Sequence, residues 1–240
     1  MNDYLHFLAT FGIGGAHPGG ITLTKKILQS ERINHTTTIL DAGCGTGQTA
    51  TYLKSKYNCH VVGIDNHPLM VEKAKNRLKP LGIDVDIKKE NIEKLSIRDS
   101  SFDLILCESV ISFTDIKKTL SECLRVLKSD GILLAIEMTS EGNLKEDEKR
   151  ELQRFYGVSK VQTEDDWKKH FLDAGFKEVT AQKAIAFVNE DTPIEGHGTE
   201  FLLSSQIDPK YYDVFDQHEW LISHFKEKLG YRIYRCIKST

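Results

Sequence analysis

The sequence predicts an α/β domain with a doubly wound, mostly parallel sheet. Short apolar runs alternate with segments whose apolar residues recur every three or four positions, and glycine-rich turns punctuate this alternation. A parallel sheet requires this alternation of strands and helices, because each crossover between parallel strands carries a helix onto one face of the sheet. A chain of 240 residues, 40% of them hydrophobic and 28% charged, is long enough for one such domain with a small cap.

Five apolar runs are predicted to be strands, and helices are predicted between them. The runs cover residues 37–43, 59–65, 85–91, 102–109 and 131–138. The last intervening helix has an apolar face at three- and four-residue spacing, and Gly131 is predicted to end it and to start the next strand. After Met138 we predict a charged helix, then a helix capped by Thr163 and ended by Gly175, with a strand from Phe176.

We expect one domain over residues 1–240, organised in four parts. These are an N-terminal helical lid at 1–36, the core at 37–184, a cap insertion over the ligand edge of the sheet at 185–230, and the final strand at 231–238. The segment 12–21 holds five glycines and one proline and is predicted to precede any regular element. Because glycine permits conformations that other residues avoid, this segment should hinge the lid over a ligand.

Composition argues against several functional classes. A net charge of −3 gives no general attraction to nucleic acids or anionic membranes, so a small or neutral partner is expected. Five cysteines without C-x-x-C spacing, mostly inside apolar runs, predict reduced core thiols and no metal site. The N-terminus lacks a basic, apolar leader, and no run approaches the ~18 apolar residues of a membrane span. We therefore expect no membrane insertion and a cytoplasmic location.

A second glycine-rich turn, "DAGCGTGQ" at 41–48, follows the first predicted core strand, where ligands bind in doubly wound sheets. Its glycines allow a sharp turn and a close approach of the ligand, and Asp65, at the end of the next strand, can accept both hydroxyls of a ribose. The ligand of this turn is therefore expected to contain a nucleoside. The dinucleotide motif would need glycine where Gln48 stands, and Asp41 would repel a pyrophosphate but suit an ammonium group.

Four stretches, "ILDAGCGTGQTATYL", "VVGID", "SSFDLILCESVI" and "LRVLKSDGILLAIE", resemble in order and spacing the motifs of class I S-adenosylmethionine-dependent methyltransferases. The run looks most like the small-molecule type typified by quinone-biosynthesis methyltransferases. The resemblance implies a seven-stranded sheet of the Rossmann-like methyltransferase fold, with the last strand antiparallel. It also implies S-adenosylmethionine (SAM) as cofactor and S-adenosylhomocysteine (SAH) as product.

The same resemblance implies a set of cofactor-binding positions. Asp41 would lie near the ammonium of the methionine portion, Asp65 would hold the ribose, and Asn91 would read the adenine amino group where the family usually has aspartate. For Asn91 and Glu108, capping of a loop explains the residue equally well. The full set is Asp41, Gly43, Cys44, Gly45, Gly47, Asp65, Asn66, Asn91, Ile92, Cys107 and Glu108.

Methyl transfer mainly requires the acceptor to be held against the methyl group, and a base helps only when the acceptor must lose a proton. His17 and His197 are candidate bases, although a hydrogen bond to the backbone explains His17 and chance proximity to Glu195 explains His197. Several aromatic residues could wall an acceptor pocket or simply pack in the core: Tyr156, Phe187, Tyr211, Tyr212 and Trp220.

The expected function is methyl transfer to a small-molecule acceptor. The stretch "CESVIS" lacks the Asn/Asp-Pro-Pro-aromatic run of enzymes that methylate amino groups on bases, which weighs against that kind of nucleic-acid methylation. Alternatives are an RNA or protein methyltransferase, which a basic channel at the pocket mouth would support, and a non-catalytic SAM-binding module, which an occluded pocket would support. A nicotinamide-dependent oxidoreductase is disfavoured by Gln48.

Overall fold

A seven-stranded sheet forms the centre of the molecule. The structure is a computed structural model and describes residues 2–17, 19–183 and 200–238. Within these residues the strands are β1 (Ile13–Gly14), β2 (Thr38–Ala42), β3 (His60–Asp65), β4 (Asp86–Lys89), β5 (Phe102–Glu108), β6 (Leu127–Ser140), β7 (Glu178–Lys183), β8 (Glu200–Phe201) and β9 (Leu229–Ile237). The central sheet has the order β4-β3-β2-β5-β6-β9-β7, and β9 runs antiparallel to both of its neighbours. The predicted mostly parallel sheet with an antiparallel last strand is confirmed.

Helices cover both faces of this sheet. They are α1 (Asp3–Phe11), α2 (Gly20–Gln29), α3 (Gln48–Tyr57), α4 (Pro68–Leu81), α5 (Ile116–Val126), α6 (Glu146–Tyr156), α7 (Glu164–Ala174) and α8 (Lys210–His224), with a short 3₁₀ helix at Ile111–Phe113. Apolar side chains form one core cluster on each face of the sheet and a third beside it, centred on α1 and α8. Among the described helices, none is long and apolar enough to cross a bilayer.

Both ends of α7 follow their local sequence signals, whereas the predicted end of α5 does not. Thr163 caps α7 and exchanges hydrogen bonds with Asp166, and Gly175 ends the helix in a left-handed conformation, as predicted. The prediction that Gly131 ends the preceding helix is wrong, because α5 stops at Val126 and β6 begins at Leu127. Gly131 instead lies at an irregularity of the β5–β6 pairing, where an added Cβ would lie 2.9 Å from the Lys128 carbonyl oxygen.

The N-terminal region contains a helix that the sequence analysis missed. The expectation that no regular element precedes segment 12–21 is wrong, since α1 begins after Asn2 and ends at Gly12. The Asn2 side chain accepts the Leu5 N–H at 3.0 Å, and Gly12 adopts φ +61°. The apolar face of α1 packs against α8, which places α1 over the carboxyl ends of the central strands.

The predicted lid and the predicted cap meet in a small antiparallel sheet. Ile13 and Gly14 of β1 pair with Phe201 and Glu200 of β8. The expected cap at 185–230 therefore contributes both β8 and the 15-residue helix α8, while β9 begins at Leu229, two residues before the predicted position 231. Residues 184–199 lie outside the described residues.

Candidate active site

A cleft of about 260 Å³ opens at the carboxyl ends of β2, β3, β5 and β6. Its floor is formed by the turn after β2 and by the ends of the neighbouring strands, and α1 with residues 13–17 covers it. This is the place where the winding of the sheet reverses, since β2 lies between β3 and β5. The predicted ligand edge is thus the edge at which the structure forms a cleft.

The glycines of the turn after β2 have different roles. Gly43 adopts φ +77°, and a Cβ there would lie 2.3 Å from Val110 Cγ2, so glycine is required for packing. Gly45 adopts φ +52° and lines the cleft, and an added Cβ would meet no atom of the described residues within 4 Å. Gly47 does not line the cleft; it starts α3, where a Cβ would lie 3.1 Å from Ala74 Cβ. Gly45 is therefore the position at which bare backbone faces open space.

Asp65 ends β3 and is fixed by two backbone groups. Its Oδ2 accepts the Gly45 N–H at 3.0 Å, and its Oδ1 accepts the His67 N–H at 2.7 Å. Burial raises the pKa of Asp65, and these two hydrogen bonds offset part of that rise. Each carboxylate oxygen keeps a further lone pair, so both can accept from the hydroxyls of a bound ribose.

Asp41 lies deeper in the cleft and is incompletely satisfied. Its side chain is buried, with the residue 2% exposed, and Oδ2 has no hydrogen-bond partner among the described residues. Burial raises the pKa of Asp41 well above its ordinary value, and the nearby charges of Glu108 and Asp65 raise it further. An unpaired buried acceptor costs about 1–3 kcal/mol, which a ligand that donates hydrogen bonds or carries positive charge would recover.

Most of the remaining predicted cofactor-binding residues line the cleft, but one does not. Cys44, Asn66, Asn91 and Ile92 line the cleft. The Asn91 side-chain oxygen also accepts the Glu93 N–H at 2.9 Å, so Asn91 caps this loop independently of any contact with a ligand. Cys107 is not among the lining residues and is fully buried in the core.

Glu108 forms a buried polar cluster with His17. His17 Nε2 lies 3.2 Å from Glu108 Oε1 and 3.2 Å from the hydroxyl of Thr24. The Thr49 hydroxyl donates to Glu108 Oε2 at 2.9 Å, and the Thr24 hydroxyl donates to Oε1. Burial alone would raise the pKa of Glu108, but His17 and these two hydroxyls hold it below its ordinary value. Both Glu108 and His17 line the cleft. The second candidate base, His197, lies outside the described residues.

Glu137 lines the cleft from β6 and was missed by the sequence analysis. It is fully buried, and its Oε1 accepts the N–H groups of Val110 and Ile111 at 3.1 and 2.8 Å. Oε2 accepts the N–H and the hydroxyl of Ser112 at 3.3 and 2.5 Å. Burial raises the pKa of Glu137 to about 7, although these hydrogen bonds oppose the rise. A single acidic residue inside the apolar run "LLAIEM" was the available signal.

Aromatic rings line the side of the cleft next to α1 and Glu137. Tyr4 lies 6.1 Å from Phe113 and 4.9 Å from Tyr156 between ring centroids, and Tyr231 lines the same cavity. Of the predicted aromatic walls, Tyr156 lines the cleft, whereas Tyr211, Tyr212 and Trp220 lie on α8 and do not. Phe187 lies outside the described residues. We call this side the acceptor half, and the side formed by Asp41, Asp65, the turn after β2 and residues 90–92 the cofactor half.

Residues 33–182 match the model of a family described as a methyltransferase domain, which is well over half of the chain. The chain belongs to this methyltransferase family. Over 238 residues it is 37% identical to "Uncharacterized methyltransferase YodH" of Bacillus subtilis, with 99% of this chain and 100% of that protein covered. The predicted membership among SAM-dependent methyltransferases is confirmed.

Two solved methyltransferase structures share the fold. Phosphoethanolamine N-methyltransferase 2 of Haemonchus contortus, in complex with SAM, matches with a TM-score of 0.75 at 16% identity, covering 99% of this chain and 57% of that one. Geranyl diphosphate C-methyltransferase of Streptomyces coelicolor, in complex with SAH, matches with a TM-score of 0.66 at 12% identity, covering 91% and 75%. These likenesses confirm the Rossmann-like methyltransferase fold.

Proposed function

We propose that this methyltransferase binds SAM in the cofactor half of the cleft and transfers its methyl group to a small molecule held in the acceptor half. The observation that carries this proposal is the division of one enclosed cleft into two chemically different halves. One half presents glycine backbone and carboxylates, and the other presents aromatic and apolar side chains. Small-molecule sites are typically concave, largely apolar and equipped with a few polar groups.

The residues of the cofactor half fit SAM. Oδ2 of Asp41 is buried and unpaired within the described residues, which suits the ammonium of the methionine portion. Gly45 leaves open space where any side chain would intrude, and Asp65 is fixed with both oxygens able to accept from ribose hydroxyls. When bound there, SAM would supply a methyl group already activated on a sulfonium.

The chain's own contribution is orientation and exclusion of water. Gly45 and Asp65 would position the cofactor, while α1 and the aromatic rings cover the acceptor half. Orientation of two reactants can contribute about 7–11 kcal/mol to a displacement. His17 is our candidate for a residue that assists the acceptor's proton, since Glu108 holds its Nε2 at 3.2 Å and so orients its ring beside the cleft.

The lining argues against an RNA or protein substrate. Such a substrate would favour a channel with Lys and Arg at its mouth, and no Lys or Arg lines the cleft among the described residues. The sequence of residues 184–199 also contains neither Lys nor Arg. The acidic lining therefore supports a small acceptor over a nucleic acid.

Calorimetry with SAM and SAH tests this proposal, using the wild-type chain, Asp65→Ala and Asp86→Ala. We expect the wild type to bind both ligands and Asp65→Ala to lose detectable binding, because the variant removes the ribose acceptor and the support of the Gly45 N–H. Asp86→Ala changes an exposed carboxylate on the neighbouring strand β4, which forms a surface ion pair with Lys88, and should bind as the wild type does. Absence of heat with either ligand in the wild type would contradict the proposal.

The acceptor itself can be found by screening metabolite pools with methyl-labelled SAM. Transfer of label to a small molecule by the wild type, and its loss in Asp65→Ala, would support the proposal. Binding of SAM with no labelled product from any pool would favour the alternative of a non-catalytic SAM-binding module.

A further inference from the structure

The charge of the cleft is strongly one-sided. Six carboxylates line it: Asp41, Asp65, Glu90, Glu93, Glu108 and Glu137. The described lining includes no Lys or Arg, and its potentially cationic groups are His17 and His67. In the acceptor half, a phosphate or carboxylate of the acceptor would therefore meet the charge of Glu137 and no guanidinium or ammonium group of the described residues.

Three cationic side chains on the elements around the cleft are engaged elsewhere. Lys73 on α4 donates to the carbonyl oxygens of Thr10, at 3.1 Å, and Leu202. Arg77, also on α4, forms an ion pair with Glu200 at 2.6 Å. Arg232, which pairs with Glu137 across β6 and β9, directs its guanidinium to Glu141 and Glu164 at 2.9 and 2.7 Å. These three side chains link neighbouring elements of the fold, and each already has carbonyl or carboxylate partners.

Glu137 places negative charge next to the aromatic rings without being free to bond a ligand directly. Each of its two oxygens already accepts two hydrogen bonds, from the backbone and hydroxyl of residues 110–112. Glu137 and Tyr231 both line the cleft, and the charge of Glu137 adds to the effect of burial, which raises the pKa of Tyr231 to about 12. Its effect on a ligand is therefore a field, and not a salt bridge.

The aromatic rings supply the complementary surface. Tyr4, Phe113, Tyr156 and Tyr231 line the acceptor half, and Met138 lies among them. Faces of aromatic rings carry partial negative charge and attract cations that lack N–H groups as well as those that have them. Rings together with a carboxylate that cannot bond directly suit a nitrogen at any stage of methylation.

We propose that the methyl acceptor is a small amine without an anionic group, recognised as a cation by the aromatic rings of the acceptor half and by the buried charge of Glu137. The inference rests on the proposed function and specifies its substrate class. It is independent of Asp41, whose unpaired Oδ2 is assigned to the cofactor half.

The reaction balances for this class of acceptor. A protonated amine first loses its proton, to His17 or to water, and the lone pair of the neutral nitrogen then forms the new N–C bond. The C–S bond of the sulfonium breaks with its electron pair remaining on sulfur, so positive charge passes from sulfur to nitrogen. The ring faces and Glu137 would stabilise the charge that develops on nitrogen in the transition state. A primary or secondary amine product can then lose a proton to water.

Binding of matched probes tests the charge of the acceptor without requiring turnover. Choline is compared with its uncharged carbon isostere, in which a tert-butyl group replaces the trimethylammonium group, and with phosphocholine. The SAH-saturated wild-type chain is titrated by NMR at about pH 8, where Glu137 is ionised. We expect choline to bind at least about 10-fold more tightly than the isostere and more tightly than phosphocholine.

Two variants locate the effect in the acceptor half. Phe113 is partly exposed and carries no hydroxyl, so Phe113→Leu removes a ring while keeping an apolar side chain. This variant should lose at least about 3-fold of the preference for choline over its isostere, and Phe113→Tyr, which restores a ring, should regain it. A preference unchanged in Phe113→Leu would overturn the assignment to the rings.

The outcomes separate this inference from the proposed function. Equal binding of choline and the isostere, tighter binding of phosphocholine, or no binding of any probe to a chain that does bind SAH would overturn the amine inference alone. Absence of SAH binding would overturn the proposed function and, with it, the inference.

Discussion

The two halves of the cleft are assembled in opposite ways. The cofactor half comes mostly from one strand, the turn after it and the end of the next strand, so Asp41, Gly45 and Asp65 lie within 25 positions of one another. The acceptor half is built from Tyr4, Phe113, Glu137, Tyr156 and Tyr231, which are spread over almost the whole chain. The first half is a local motif, and the second exists only after the chain has folded.

The difference teaches where chemical specificity can change most easily. Residues of the cofactor half constrain one another, since Gly45 donates to Asp65, and a Cβ on Gly43 would collide with Val110. Rings of the acceptor half sit on separate elements and pack against one another away from the turn after β2, so one ring can change without altering that turn. A fixed cofactor site and an adjustable acceptor site follow from this arrangement.

The largest effect should come from Glu137 in the acceptor half, as a dependence of stability on pH. Its ordinary pKa is 4.5 and its pKa in the fold is about 7, so between these values the folded chain holds a proton that the unfolded chain has released. The free energy of unfolding should therefore fall with rising pH in this window, by about 3 kcal/mol from this group. Glu137→Gln removes the titration, so relative to the wild type its unfolding free energy should rise by about 3 kcal/mol from about pH 4 to about pH 8.

Chemical denaturation of both proteins across this range measures that difference. Only the change in the difference with pH is diagnostic, because the amide of the variant also loses part of the hydrogen bonding to residues 110–112. A difference that stays constant with pH would show that burial does not dominate at Glu137 and would weaken the contrast drawn between the two halves.

A slightly smaller effect is expected for Gly45→Ala in the cofactor half. Gly45 and Gly82 both have positive φ, +52° and +62°, and an added Cβ at either meets no described atom within 4 Å. Each substitution to alanine should cost about 1–2 kcal/mol of stability, because alanine is strained in this conformation. Gly45→Ala should in addition weaken SAH binding about 100-fold, since its methyl group enters the space that the cofactor's approach requires.

Gly82→Ala is the matched control, because Gly82 ends α4 and does not line the cleft. Thermal unfolding and calorimetry on the two variants separate backbone strain from contact with the cofactor. Equal SAH affinity in the two variants would remove Gly45 from the cofactor half.

The smallest effect is expected at His17, in the segment 13–17 that covers the cleft. Glutamine can still donate to Glu108, so His17→Gln keeps a partner for the buried carboxylate while removing the imidazole. Methyl transfer to the acceptor found by screening should slow by about 10-fold, less than a full general-base effect, because water can also take the amine's proton. Cofactor affinity, measured by calorimetry, should be unchanged.

His35→Gln, at an exposed position, serves as the control for this substitution. An unchanged rate in His17→Gln would assign His17 a structural role, as the hydrogen-bond partner that keeps Glu108 ionised.

The sequence predicted the strands of the core and most of the cofactor half, because these depend on local patterns. Asp65 and Gly45 were identified from a strand, a glycine turn and a following strand, and both line the cleft. The helix α1 was not predicted although Asn2 and Gly12 are regular start and stop signals, because it is only nine residues long and is followed directly by a glycine-rich segment. Its short apolar face becomes visible only when it packs against α8.

Other differences have tertiary causes. Cys107 and Gly47, which the resemblance assigned to the cofactor site, are not among the residues that line the cleft: the side chain of Cys107 is buried and Gly47 lies against α4, so a contribution through their backbone stays a prediction. Glu137 could be identified only from the structure, because its environment depends on the backbone N–H groups of residues 110–112. No spacing in the sequence associates those residues with Glu137. Sequence patterns predict helices and strands, whereas contacts between distant elements determine which residues form the acceptor half.

The pairing of β1 with β8 has a consequence for how the protein is made. Ile13 and Gly14 leave the ribosome well before their partners Phe201 and Glu200. The turn after β2 and the strands β2 to β6 are also synthesised before residue 200, so the β1–β8 pair cannot form over the site until residue 201 has emerged. The cover of the site is therefore completed later in synthesis than the residues of the cofactor half.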